Sequence, residues 1–353
     1  MESGFGDILA ERVAQRESQI VLGLDPDPQA LWPGVHETAQ RLRAGVSPRA
    51  DVSPRADVPL RADVSPPALE DPQHGLPAGP PPSPYADRSP AGAPPSSHAD
   101  RSPAWRTAVA VRVHCCAVID AAGPACVAIK PQLACFERLG APGWEALWAV
   151  VEHARRHGLL SIADGKRGDV AVSARAYAQS LFEGLRANMA TVNPLLGRDA
   201  LEPFVTVARA AGAGVLVLVR TSNPGAADVQ DLQLAGGGAV WERLAAIVDE
   251  LGAPAVGESG LADVGAVVGA TEPRHLARAR ELMPHAVLLL PGVGAQGGRV
   301  EDLAAAFAPG RAGGLIAASR SIAGAHLATG GDPAGAARAE AERMRAAAWA
   351  LAR

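Results

Sequence analysis

Short apolar runs alternate with amphipathic stretches along most of this chain. Runs rich in Val, Ile, Leu and Ala predict strands over Gln19–Leu24, Cys126–Lys130, Leu159–Ala163, Met189–Val192, Gly214–Val219, Val264–Val268, Ala286–Leu290 and Gly314–Ala317. Between them, helical spacing predicts helices over Trp105–Ala122, Gly143–His157, Val172–Ala187, Ala200–Ala211, Ala239–Leu251, Pro273–Met283, Val300–Ala306 and Ala336–Leu351. Strands alternating with helices are the βαβ signature. Eight such units fit a closed (β/α)8 TIM barrel, an α/β fold in one domain. A doubly wound open sheet is disfavoured, because no GxGxxG follows the first strand.

One stretch breaks the pattern. Residues 46–63 read VSPRAD, VSPRAD, VPLRAD, and ADRSP occurs at 86–90 and again at 99–103. Half of the 30 prolines lie between 46 and 104. Such a composition cannot bury enough apolar surface to offset the entropy of ordering it. Residues 46–104 are therefore expected to be a disordered Pro-rich insert within a single domain spanning 1–353. A docking arm is the other reading; a repeat expansion in a tolerated surface loop is favoured.

With 48% hydrophobic and 20% charged residues, the 353-residue chain falls in the soluble globular class. A net charge of −4 argues against nucleic acid or an anionic membrane as the main partner. No apolar run is expected to approach the roughly 18–20 residues of a membrane span. The start, MESGFGDILAERVAQRES, lacks a basic segment followed by an apolar one, which predicts a cytoplasmic protein. The cysteines, Cys115, Cys116, Cys126 and Cys135, form no CxxC pair and read as small buried hydrophobes. No metal site is expected from them.

Only two of the 33 basic residues are lysines, Lys130 and Lys166. Arginine cannot give up a proton near neutral pH, whereas lysine can. The two lysines are therefore candidates for proton chemistry. Polar or glycine-rich groups sit just past seven of the eight predicted strands. They are Asp25; Lys130-Pro131-Gln132; Asp164-Gly165-Lys166 with Asp169; Asn193-Pro194; Arg220-Thr221-Ser222-Asn223; Pro291-Gly292 with Gln296; and Ser319-Arg320-Ser321. Singly, Asp25 could cap a helix, the asparagines could make turns, and the glycines tight connections. In a barrel all of them converge on the mouth, where active sites of this fold lie.

Strand alternation turns Asp164 and Lys166 to the same side, with Lys130 on the neighbouring strand and Asp169 at the following turn. Such an array of carboxylates and ammoniums keeps Lys166 protonated, which favours a proton donor over an imine-forming lysine. After strands seven and eight, Gln296, backbone N–H groups and Arg320 offer an anion site and predict a phosphate monoester substrate.

These segments carry a resemblance. GlyLeuAspProAsp, LysProGln with CysPheGlu, AspGlyLysArgGlyAsp, ThrValAsnPro with GlyArgAsp, ArgThrSerAsnProGly, ValGlyAlaThrGluPro, ProGlyValGlyAlaGlnGlyGly and SerArgSerIle resemble the orotidine 5′-phosphate decarboxylase family in its longer bacterial form. The resemblance leaves out little besides the repeat insert. It implies conversion of orotidine 5′-phosphate to UMP and CO2 in pyrimidine biosynthesis, without metal or organic cofactor. Lys166 would then protonate C6, Asp164 would lie beside the substrate carboxylate, and Lys130 would bridge the charge array and the ribose. Asp25 would bind a ribose hydroxyl and Ser222 the pyrimidine edge. Gln296 and Arg320 would meet the phosphate, with Thr221, Pro291 and Gly292 also counted as substrate-binding. Asp169 would reach into the neighbouring subunit's site, implying a homodimer.

Two other functions stay open on sequence. One is a related sugar-phosphate decarboxylase or aldolase with a metal-bound enediolate, for which Glu258 is a candidate ligand. The other is a catalytically dead barrel with the Pro-rich segment as docking arm, which an intact AspGlyLysArgGlyAsp argues against.

Overall fold

The structure is a computed structural model that describes residues 4–43, 102–294 and 297–352. Eight parallel strands close into a barrel in sequence order. They are β1 (Ile20–Leu24), β2 (Ala128–Pro131), β3 (Leu160–Arg167), β4 (Met189–Val192), β5 (Gly214–Arg220), β6 (Val264–Val268), β7 (Leu288–Pro291) and β8 (Gly314–Ala318). Closure is made by β1, whose Val21 stands opposite both Ala128 of β2 and Ala317 of β8.

The helices are α1 (Phe5–Arg16), α2 (Val35–Arg43), α3 (Pro103–Ala122), α4 (Leu133–Glu137), α5 (Ala141–Arg156), α6 (Ala171–Gln179), α7 (Arg198–Ala210), α8 (Val240–Gly252), α9 (Pro273–Leu282), α10 (Arg320–Ala323), α11 (His326–Thr329) and α12 (Pro333–Leu351). The predicted helix over Val300–Ala306 is instead a 3-10 helix, Val300–Phe307. Its buried Val300, Leu303 and Ala306 recur every third residue, which suits three residues per turn.

Alternation along the strands divides the core into two layers. Ile20, Leu22 and Leu24 face outward into the layer shared with the surrounding helices, while Val21 faces the barrel interior. Phe5, Leu9 and Val13 of α1 join Val21, Ile162, Met189 and Leu315 in that interior cluster, so α1 plugs one end. The plugged end is that of the strand N-termini. Gly214, which opens β5, approaches Phe5 so closely that a Cβ there would sit 2.5 Å from the ring. The opposite end, where the strands finish, is left open.

Three expectations change. Ser102 caps α3, accepting the Trp105 N–H at 3.1 Å, and Pro103 opens the helix with its pre-set φ. Residues 103 and 104 thus belong to α3 rather than to the insert, and 46–101 lie outside the described residues. Second, one helical segment does reach span length. Pro103–Ala125 has 23 residues with mean hydropathy 1.3, long and apolar enough to cross a membrane. Two thirds of it is buried in the protein, where the apolar side chains of α3 fill the layer outside the strands. Third, β3 does not stop at Ala163. It continues through Asp164 and Lys166 to Arg167, past a register shift against β4.

Candidate active site

The extension of β3 brings both lysines onto one carboxylate. Lys130 Nζ lies 2.5 Å from Asp164 Oδ2, and Lys166 Nζ lies 2.5 Å from Asp164 Oδ1. The Asp164 side chain keeps 6% of its exposure and that of Lys130 11%, whereas Lys166 keeps 44%. Asp164 and Lys130 thus form the fixed part of the array, and Lys166 is the ammonium that a bound molecule and solvent can reach. Burial alone would push the Asp164 carboxyl up. The charges and hydrogen bonds of Lys130 and Lys166 outweigh it and hold the carboxyl down at about 2.

Two more side chains complete this cluster: Gln132, one of the polar groups past the predicted strands, and Thr191, which is not among them. Thr191 of β4 donates its hydroxyl to Asp164 Oδ1 at 2.9 Å and accepts the Lys166 backbone N–H at 3.0 Å. Gln132, just past β2, donates to Asp164 Oδ2 at 3.4 Å. A signal for Thr191 did exist. It opens the ThrValAsnPro segment two residues before Asn193, so period-two alternation turns both to one face of their strand.

The cluster opens into a cavity of 790 Å3 at the strand C-terminal end, large enough for a nucleotide-sized ligand. Lys130, Asp164 and Lys166 line one side; Thr221, Ser222 and Pro291 line others, with Leu218, Val267 and Leu289 as apolar floor. Gln230 fixes the loop after β5, accepting the Thr221 N–H at 2.9 Å. A neighbouring 160 Å3 pocket shares Lys130 and Pro291 with the cavity and adds Asp25, Gly292 and Arg320. Glycine is required at Gly23 in its wall, because a Cβ there would fall 2.6 Å from Ser319 Cβ. Gln296 lies outside the described residues. The loop that carries it is pinned at its base, with the Gly298 N–H donating to Gly292 O at 3.0 Å.

Asp169 does not join the array of its own chain. Its Oδ1 accepts the Val170 N–H at 2.7 Å, and it lines neither pocket. Within one chain Lys166 meets one carboxylate, Asp164. Glu258 is also displaced from its proposed role. Its loop precedes β6, and the Ser259 N–H donates to Asp7 Oδ1 of α1 at 2.7 Å, at the plugged end. Of the cysteines, Cys115 and Cys126 are buried and Cys116 and Cys135 half-buried, all as free thiols. Burial pushes the Cys126 thiol up to about 12.

A profile described as the orotidine 5′-phosphate decarboxylase / HUMPS family matches residues 109–339. A protein of Rhodopirellula baltica named orotidine 5′-phosphate decarboxylase is 43% identical over 226 residues, 62% of this chain and 74% of its own. One of that name from Deinococcus radiodurans is 48% identical over 220 residues, 62% of this chain and 79% of its own. Among solved structures, the OMP decarboxylase of Leishmania donovani superimposes with a TM-score of 0.63 at 27% identity, over 98% of this chain and 99% of that one. The Methanocaldococcus jannaschii enzyme complexed with the inhibitor BMP shares the fold, with a TM-score of 0.51 at 19% identity over 67% of this chain and 92% of its own.

Proposed function

The chain belongs to the orotidine 5′-phosphate decarboxylase / HUMPS family, and we propose that within it the protein is the decarboxylase, a carboxy-lyase that turns orotidine 5′-phosphate into UMP and CO2. The observation that carries this reading is the Lys130–Asp164–Lys166 cluster at the open end of the barrel. It supplies a proton donor and a fixed carboxylate where a pyrimidine carboxylate would meet them. The sugar-phosphate alternative loses its candidate ligand with Glu258 at the far end, and an assembled cluster argues against a dead scaffold.

In this reading the C6–carboxylate bond breaks, its electron pair stays on C6, and the Lys166 ammonium delivers a proton there as CO2 leaves. Asp164, ionised and buried, lies beside the substrate carboxylate, and their repulsion ends when CO2 departs neutral. Lys130 links the cluster to the ribose, whose hydroxyls meet Asp25. Thr221 and Ser222 face the pyrimidine edge. Arg320, Gln296 and the backbone at Pro291–Gly292 hold the phosphate. Enzymes lower barriers by roughly 8–23 kcal/mol, more than one ion pair supplies. Phosphate binding realised in the transition state supplies part of the remainder. The chemistry calls on no metal or organic cofactor.

We read residues 1–353 as one barrel domain carrying the Pro-rich segment as an insertion between α2 and α3. The working unit is a homodimer in the cytoplasm, with Asp169 contributed to the partner's site. The test is the ultraviolet absorbance of orotidine 5′-phosphate on adding EDTA-treated protein. A decrease with release of one CO2 per UMP is expected. An unchanged spectrum with folded protein would overturn the assignment.

A further inference from the structure

The plugged end of the barrel, far from the mouth, holds a second cluster that the decarboxylation chemistry does not use. Asp120 lies in the last turn of α3; His153 and His157 are four residues apart at the end of α5, which places them on one face. Both rings turn Nε2 to the same carboxylate oxygen, Asp120 Oδ1, at 2.7 Å from His153 and 3.2 Å from His157. The three donor atoms all lie within 4.8 Å of one another.

We propose that Asp120, His153 and His157 form a binding site for a Zn2+-class divalent cation that clamps the C-terminal end of α3 to that of α5. The donor set decides the class. Two imidazole nitrogens and one carboxylate oxygen suit borderline first-row cations, whereas Mg2+ and Ca2+ favour all-oxygen shells. Ligand bonds of about 2.0–2.2 Å in a tetrahedron separate donor atoms by roughly 3.4 Å. The Asp120–His153 and Asp120–His157 spacings, 2.7 and 3.2 Å, need only open modestly to reach it, and the Asp120 side chain is 54% exposed, free to adjust. The fourth position would hold water. Without the ion, two Nε2–H groups compete for one oxygen. The ion takes the place of both protons, and each neutral ring then carries its proton on Nδ1.

The location defines the effect. α3 leads into β2 and α5 into β3, so the cluster ties together the supports of the strands that carry Lys130, Asp164 and Lys166, without touching the cavity. A cation there stabilises the fold and leaves turnover unchanged.

The experiment uses the untagged full chain, stripped with EDTA and dialysed, with Zn2+ as the probe. Equilibrium dialysis should give one Zn2+ per chain. The thermal midpoint should rise by roughly 5 °C at a free Zn2+ concentration about a hundredfold above the dissociation constant. Mg2+ at the same concentration should do nothing. His157→Gln, His153→Gln and Asp120→Asn should each abolish the shift while keeping the absorbance assay at wild-type rates. His157 is 41% exposed, so its variant keeps the fold even if the His153 variant does not. No uptake by the wild type, or a shift that persists in the His153→Gln, His157→Gln double variant, would overturn the site. Neither result bears on the decarboxylase assignment, which the absorbance assay tests by itself.

Discussion

The backbone of Lys166 is held by the side chain of Thr191. Lys166 has φ +48°, in the left-handed region that a non-glycine residue enters at a cost of about 1–2 kcal/mol. Its N–H donates to Thr191 Oγ1 at 3.0 Å, and the same hydroxyl donates to Asp164 Oδ1 at 2.9 Å. One buried hydroxyl thus fixes both the donor's backbone and the carboxylate beside it. Thr191→Val keeps the shape and removes both bonds. Leaving such groups unpaired costs about 1–3 kcal/mol, so kcat should fall roughly 5- to 150-fold with KM little changed. Thr191→Ser should restore most of the rate. A Val variant at wild-type kcat would show that the hydroxyl does not position Lys166.

Lys166→Ala should lose at least about 10⁴-fold in kcat, because proton delivery alone contributes roughly 10²–10⁴ and charge stabilisation adds to it. The residue is the exposed member of the cluster, so circular dichroism should be unchanged. Lys166→Arg keeps the charge but not a releasable proton, and should be nearly as slow. A folded Lys166→Ala protein within tenfold of wild type would remove Lys166 from the chemistry.

The barrel was legible because each strand is a short apolar run and each helix an amphipathic one. The site was legible because its residues crowd the strand ends. The misses have physical causes. The apolar run ends at Ala163, and the polar Asp164 and Lys166 after it look like a strand end. Pairing of Arg167 with Val192 beyond the register shift carries the strand through them. α3 escaped notice as a span-length segment because its charged residues interrupt the apolar run without lowering the window average enough. Asp120 of α3 precedes His153 and His157 by more than thirty residues. Only the packing of those two helices brings them together.

His114 sets an acid limit on stability. Its Nδ1 accepts the Trp32 N–H at 3.2 Å, and the Trp32 ring meets its ring edge-on. Burial, aided by the nearby His326, pushes the imidazole down to about 4. In the unfolded chain the same ring titrates near about 6.5. Between these values the unfolded state binds a proton that the folded state refuses, so stability falls as pH drops through that window. The loss amounts to about 3 kcal/mol, on the order of the pKa difference. Urea titrations at pH 7 and pH 4.5 should show a smaller difference for His114→Asn than for wild type. Equal differences would place the acid sensitivity elsewhere.

Asp169 is the carboxylate left out of its own chain's cluster. Asp169 follows Lys166 by three residues, yet its side chain caps Val170 and lines neither pocket. If it completes the partner's site, the two lesions Lys166→Ala and Asp169→Ala belong to different sites of one dimer. In a heterodimer of the two variants, one site inherits both lesions and the other neither. Equal mixing with free subunit exchange makes half of the dimers mixed, each with one intact site of two. About a quarter of wild-type activity should then return from two nearly inactive preparations. Exchange is followed by mass labelling, so that failure to mix is not mistaken for failure to complement. Mixed dimers without recovered turnover would show that Asp169 acts within its own chain, or not at all.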